Sequence, residues 1–473
     1  MPKTVLPETG EVCVSGPVGS ADAVRNDDYR FLHVGLPVEV DRLKQAGYYD
    51  EARALCGTML AGDVSEPLAA RLRVERHRMG RLAGQYSVSI DEALETIRRE
   101  WPDFTREQLD DLIGRGRIDW RFVRGEVCLL DSYMDSLRVY PHEVPGLLPD
   151  APQDTAGRDE MLARMRLSGA ASRTITVRAC IEVPGADSGE RVEAWLPVPA
   201  ACDSQSDIEV LEMSPGAQLA PENAPARTVY WNSTTERRFS ITYRYRTHAS
   251  YVDLWTDTPS APTHSTCEVM AADTAELAPH VMFTPYVRSL ARCLSEGCSG
   301  MLEIARSIYD YVTNTVDYRY QPDYAQLDDI ADNCLKSRRG DCGVMALAFV
   351  TLCRAAGVPA RWESGLYVAP DHVGPHDWAR FWTPETGWRW ADCSFGSSSR
   401  RAGDETRRRH HFGNLDPWRL VANTEFQAEL VPPAVGIRLD PYDSQMGEAC
   451  VDGRGCYEDE MIRSVELLEM LED

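Results

Sequence analysis

Cys342, His376 and Asp392 are three residues whose types and spacing can be combined into one reaction. Cys342 lies in "RRGDCGVMALAFVTLCRAAGVPAR", after a Gly-Asp turn and at the start of a nearly all-apolar run that predicts a buried helix from Cys342 to Ala356. Gly357 suits the C′ position, and Pro359 stands just beyond. At a helix tip the unpaired backbone N–H groups and the dipole favour a thiolate. The Cys342 N–H also points where a tetrahedral oxyanion would form. His376 begins the strand pattern "HDWARFW", 34 residues on. "TPETG" then turns the chain into "GWRWAD", which ends at Asp392, 16 residues after the histidine. A hairpin of that length sets His376 and Asp392 on adjacent strands. A thiol, an imidazole and a carboxylate so arranged form a Cys-His-Asp triad. The sulfur attacks a carbonyl, the imidazole moves the proton and the carboxylate fixes its tautomer.

The elements that position these residues fall in the last third of the chain, over residues 253–430. Met301, Ile304, Ala305, Ile308 and Val312 have helical spacing, and "ARWESGLYV" reads as a strand before "HDWARFW". Helices followed by strands indicate an α+β domain. Ahead of it, Ile175, Val177, Ala179, Ile181 and Val183 alternate with polar residues, and Val192–Leu196 and Phe239–Tyr245 repeat the period of two. Residues 173–252 are expected to form an antiparallel β-sandwich. Residues 31–142 predict a helical domain. Its helices begin after Pro37, break at Gly47 and resume with capping boxes at Ser89/Glu92 and Thr105/Gln108. A hairpin turning at Arg124-Gly125 follows, so its end resembles a winged helix. The second capped helix is acidic, which opposes DNA phosphate and suits packing or a protein partner. Residues 1–30 read as a flexible arm, 143–172 as a linker and 431–473 as an acidic C-terminal tail that wraps over the rest.

"GDC", "AGVPAR", "HDWARFW" and "GWRWAD", in that order, resemble the transglutaminase-like superfamily, whose core is papain-like. The resemblance runs from Tyr318 to Phe395 and extends to the bacterial type with a preceding β-sandwich. It implies that Cys342, His376 and Asp392 are nucleophile, base and orienting acid. Relatives take an oxyanion donor from the region of Tyr318, Tyr320 and Gln321, which makes Gln321 the candidate here. Trp378 and Trp382 share a strand face with His376 and either wall a substrate cleft or pack a core. Two departures stand out: Arg380 where the family often has an acid, and Cys393-Ser394 where it often has Pro-Thr. The resemblance implies no metal, since no acidic calcium loop follows the pattern of the cross-linking branch, and no cofactor. The expected activity is cysteine acyl transfer on a peptide, isopeptide or side-chain amide. The alternative is a non-catalytic scaffold of the same fold.

Composition narrows the partners. Lys plus Arg number 50 and Asp plus Glu 74, a net charge of −24 over 473 residues. Such a chain lacks the cations that neutralise phosphate, so nucleic acid and anionic lipid are not expected partners. The longest strongly apolar stretch, Gly343–Cys353, is about half of the ~20 residues that span a bilayer. The N-terminus has no apolar export segment, and "LPETG" at Leu6–Gly10 lacks the apolar tail that a sorting signal needs. Fourteen cysteines with no export signal predict reduced thiols and a cytoplasmic location. Cys293/Cys298, Cys450/Cys456 and His410-His411 do not match zinc spacing. The run "RRRHH", Arg407 to His411, reads as a solvated loop facing the acidic tail, or as a site for an acidic substrate group.

Overall fold

The computed structural model describes residues 24–147, 155–256 and 267–472. Asn26–Phe31, inside the expected flexible arm, is a 3-10 turn whose buried Asp28 pairs with Arg73. The "LPETG" segment lies outside the described residues.

Helices α1 (Val38–Gln45) and α2 (Tyr49–Leu60) pivot on Gly47. Glycine is needed there twice over. Its φ is +77°, and a Cβ would lie 2.2 Å from the Phe122 carbonyl oxygen. The long α3 (Glu66–Gln85) precedes β1 (Val88–Ser89), α4 (Ile90–Glu100), α5 (Arg106–Gly114), the hairpin β2 (Trp120–Val123) and β3 (Glu126–Leu129), and α6 (Tyr133–Arg138). Both capping boxes form, each cap contributing about 1 kcal/mol. The hairpin turns on Arg124 and Gly125, both at positive φ, as a tight primed turn demands. The strands take the order β1-β3-β2, and Ala93, Leu109 and Leu129 join one apolar cluster with α4 and α5. Helix α3 faces inward. Arg78 and Arg71 pair with Asp328, Lys44 binds Glu75 at 2.8 Å, and Arg81 pairs with Asp323. These ions clamp the 323–328 loop, which carries part of the candidate site.

Where a linker was expected, α7 (Thr155–Ser168) is a helix with Met161, Leu162 and Met165 buried. The strands β4 (Ala170–Glu182), β5 (Val192–Pro197), β6 (Gln205–Met213), β7 (Gln218–Leu219), β8 (Thr228–Ser233) and β9 (Arg238–Ser250) form two antiparallel sheets. Ile175, Val177, Ala179 and Ile181 all turn into their shared apolar cluster, as the alternation requires.

The third region begins with α8 (Pro285–Ser295), α9 (Met301–Thr315), β10 (Asp317–Tyr318), α10 (Ile330–Ser337) and β11 (Arg339–Gly340). Helix α11 (Cys342–Ala355) follows, almost wholly buried and ending ahead of Gly357 at φ +80°. Next come β12 (Ala360–Ala369), β13 (His372–Thr383), β14 (Gly387–Ala391), α12 (Cys393–Arg401), α13 (Glu405–His410), β15 (Phe412–Gly413) and β16 (Arg419–Asn423). The strands pair antiparallel in the order β15-β14-β13-β12-β16.

The register of β13 against β12 sets His376 opposite Gly365 and Asp377 opposite Ser364. Successive side chains on a strand point to opposite faces. On one face, Ala379 and Phe381 pack with Val344 and Phe349 of α11. On the other, Trp378 packs with Trp390, Leu415 and Val421.

The acidic C-terminal segment contributes strands. Strands β17 (Glu448–Val451), β18 (Arg454–Gly455) and β19 (Ile462–Glu472) extend both sheets: β17 pairs with β5, and β19 runs along β4. Leu366, Val368, Leu420 and Ala422 of the third region enter the same apolar cluster as β4 and β5.

Candidate active site

Cys342 is the first residue of α11, and Asp341 is its N-cap. The Asp341 carboxylate accepts the Val344 N–H at 3.1 Å and the Tyr324 hydroxyl at 2.6 Å. The parallel pairing of β10 with β11 sets Tyr318 beside Gly340, two residues before the thiol. Gly343 permits the close approach. A Cβ there would lie 2.2 Å from the Tyr324 hydroxyl and 2.9 Å from an Asp377 carboxylate oxygen.

The thiol donates to Asp377 Oδ2 at 3.1 Å. Gln445 Nε2 donates to the other Asp377 oxygen at 3.1 Å and to the His376 carbonyl at 3.0 Å. The Asp443 carboxyl interacts with that of Asp377, and it accepts from Ser364 Oγ at 2.6 Å and Asn423 Nδ2 at 2.9 Å. The half-buried Cys342 thus faces a nest of acids. Burial, with Asp341 adding repulsion, pushes the Asp377 carboxyl up to about 7. Burial pushes Asp341 up to about 6. Burial, Asp377 and Asp341 together drive the thiol well above its ordinary value. This reverses what a helix tip alone predicts.

His376 points to the other face. Its Nε2 binds Asp392 Oδ2 at 2.8 Å, and its ring packs 4.6 Å from that of Phe395, centroid to centroid. Burial lowers the proton affinity of the imidazole, against the pull of Asp392. The ring is therefore neutral near pH 7, with Nε2–H donating to the carboxylate and Nδ1 left as the basic nitrogen. Asp392 is fully buried and also caps α12, accepting from the Phe395 N–H at 2.9 Å and Ser394 Oγ at 3.0 Å. Arg419 lies 2.8 Å from Asp392 and 2.8 Å from Asp416. Burial opposes the charge on Asp392, yet His376 and Arg419 hold its carboxyl far below the usual range.

The three residues singled out by sequence are therefore joined in part. His376 and Asp392 are in contact, as the hairpin spacing predicts. Cys342 meets the next residue of the same strand, and no hydrogen bond links it to the His376 ring among the described residues. Gln321 donates its amide to the carbonyls of Arg319 and Tyr320, at 2.8 and 3.2 Å, within its own loop. Trp378 has no exposed surface, and its indole N–H is bound to Glu363 at 2.8 Å, so it packs a core rather than walling an open cleft. Trp382, on the same face, is half-buried. Arg380 is neutralised by Glu363 and Asp203 at 3.0 and 2.7 Å. The "RRRHH" run does not face the acidic tail. Arg407 pairs with Asp159, Arg408 with Asp310 and Glu405, and the His410 and His411 rings are buried.

Sequence reasoning missed Asp377, Asp443, Gln445, Arg419 and Asp416. Asp377 was within reach, since strand parity alone puts the residue after His376 on the opposite face. Asp443 and Gln445 lie more than 60 residues downstream of Asp377 and carry no motif.

Residues 288–393 match the family model described as the transglutaminase-like superfamily. This part of the chain is thus similar to that superfamily. A Pseudomonas aeruginosa protein-glutamine gamma-glutamyltransferase is 30% identical over 88 residues, 16% of this chain and 13% of that protein. The uncharacterized protein YebA of Bacillus subtilis is 26% identical over 122 residues, 22% of this chain and 16% of that protein. The chain thus matches less than a fifth of either relative's length. Among solved structures, the periplasmic domain of TgpA from Pseudomonas aeruginosa aligns at 16% identity and TM-score 0.28, over 53% of this chain and 96% of that one. A Cytophaga hutchinsonii chain, named provisionally as a cysteine protease, aligns at 15% identity and TM-score 0.41, over 63% of this chain and 91% of that one. Scores this low carry no argument about chemistry. No helix among the described residues is long and apolar enough to cross a membrane.

Proposed function

We propose that the chain is a cysteine acyl-transfer enzyme that forms a thioester on Cys342 with a peptide, isopeptide or side-chain amide. Once the thiol has left Asp377 and turned to His376, the imidazole takes its proton through Nδ1 and returns it to the leaving amine, while Asp392 fixes the tautomer. Water then releases the acid. Hydrolysis is preferred over amine transfer because it needs no second substrate site. The observation that carries this reading is the His376–Asp392 bond of 2.8 Å, one strand position from the acid that holds the helix-tip thiol. Cys334, Cys353 and Cys393 are buried free thiols, which suits a reducing compartment, and we place the protein in the cytoplasm.

A specific observation favours a second reading, a non-catalytic scaffold. The thiol donates to a carboxyl, which keeps it protonated and poorly nucleophilic. Incubation with electrophilic amide probes, read by intact mass, separates the two. An enzyme gains one adduct on Cys342 at neutral pH, and the Cys342→Ala chain gains none. A wild-type chain that stays unmodified under conditions that preserve its fold contradicts the enzyme reading.

A further inference from the structure

We propose that Asp377, held in place by Asp443 and Gln445 of the C-terminal segment, is a positioning residue that sets the reactivity of the Cys342 thiol. The inference rests on the reading of Cys342 as nucleophile. It adds a second control on the sulfur, separate from His376 and supplied in part by a segment more than 60 residues away in sequence.

The geometry has three parts. The thiol meets Asp377 Oδ2 at 3.1 Å, so the two groups compete for one proton. Asp377 cannot turn away freely, because Gln445 bridges its Oδ1 and the neighbouring His376 carbonyl. Asp443 meets the same carboxyl and is itself oriented by Ser364 and Asn423. Two acids in contact in a buried site hold one proton between them. That proton decides whether the thiol faces a charged or a neutral carboxyl. The remaining charged and titratable groups near the sulfur are Asp341 on its own helix end, and Tyr318 and Tyr324 on the loop side. Asp440 lies beyond Asp377, and Arg319 acts on Asp341. No cation is hydrogen-bonded to the sulfur among the described residues. Besides burial, the thiol is therefore held protonated by acids, with the Asp377 backbone N–H acting in the opposite direction. For transfer to His376 it must leave Asp377, and the C-terminal segment sets how readily it does so.

The pH profile of Cys342 alkylation by iodoacetamide, read at that cysteine by peptide mass, tests the inference in the full chain. Asp377→Asn removes the competing charge and moves the profile to lower pH, with labelling at pH 7 faster by about tenfold for each unit moved. Asp443→Asn moves it the other way, because the introduced amide donates to Asp377 and keeps that carboxylate charged. Gln445→Ala, at a half-buried position, shifts the profile in the direction of Asp377→Asn by a smaller amount and serves if the buried variants fail to fold. A purely structural role would not move two neighbouring acid-to-amide variants in opposite directions. Profiles that superimpose on wild type, or that all shift the same way, overturn the inference. If Asp377→Asn speeds labelling while no chain takes up an amide probe, the inference stands and the enzyme reading falls. If wild type takes up the probe and Asp377→Asn leaves the profile unmoved, the reverse holds.

Discussion

Consecutive residues of one strand meet opposite electrostatic worlds. On one face of β13, Asp392 lies among His376 and Arg419 and stays charged despite full burial. On the other, burial pushes Asp377 up to about 7, with the like charges of Asp341 and Asp440 adding to it. Burial penalises both carboxylates alike. The neighbours decide the outcome, because an opposite charge within a few ångströms offsets desolvation and a like charge adds to it. The lesson is that strand parity, not sequence distance, divides the site: the cation-lined side keeps a neutral imidazole ready, and the acid-lined side keeps the thiol protonated.

The strongest way to break this contrast is at Asp392. Asp392→Asn offers the His376 Nε2 an amide in place of a carboxylate, and turnover of an amide probe is expected to fall by about 10⁴-fold, as in a serine triad. Probe turnover at constant pH checks this, and a loss under tenfold would show that the His376–Asp392 pair is not in the reaction path. Next in size is Arg419→Met, which leaves Asp392 and Asp416 buried without their shared cation. Breaking a buried pair in this way costs on the order of 3–5 kcal/mol, readable as a lower urea midpoint.

The acid side gives the opposite sign. Asp377 keeps a proton in the folded chain up to about 7, whereas the unfolded chain releases it near 3.9. Its contribution to stability is therefore whole below about pH 3.9 and is lost as pH rises toward 7. Asp377→Asn does not titrate, so the variant should gain stability relative to wild type as pH rises from about 4 to 7. Urea midpoints across that range measure it, and a difference that is flat in pH would mean that Asp377 is ionised throughout. The smallest effect is expected at Cys393→Ser. Cys393 is buried at the start of α12 with its thiol pushed well up by burial and Asp392. Replacing it should leave Cys342 labelling within about twofold while costing ~1 kcal/mol for the buried hydroxyl.

Much of the third region was legible because local signals agreed. The apolar run after "GDC" could only be a buried helix, and Asp341 and Gly357 mark its ends. The hairpin around "TPETG" follows from its turn residues, and it delivers the His376–Asp392 contact. The site as a whole was not legible, because its missing half comes from the C-terminal segment. "IRSVELLEMLE" is rich in Leu, Glu and Met, which favour helix, yet it forms β19 because β4 offers an open edge and pairs with it along its length. The pairing of β17 with β5 places the end of the loop that carries Asp443 and Gln445. The helix in the expected linker, α7, was hidden for a simpler reason: Pro, Gly and Asp ahead of it dominate the local composition, while its apolar face is only Met161, Leu162 and Met165.

On the proposed function, the Cys342 sulfur is the atom that forms the acyl-enzyme. The most direct measurement is the mass of the intact chain after exposure to an electrophilic amide probe at neutral pH, on wild type, Cys342→Ala and Cys393→Ser in parallel. The account predicts one adduct on wild type and on Cys393→Ser and none on Cys342→Ala, with far-UV circular dichroism unchanged in all three. An adduct that persists in Cys342→Ala and disappears in Cys393→Ser would place the nucleophile elsewhere and contradict the account.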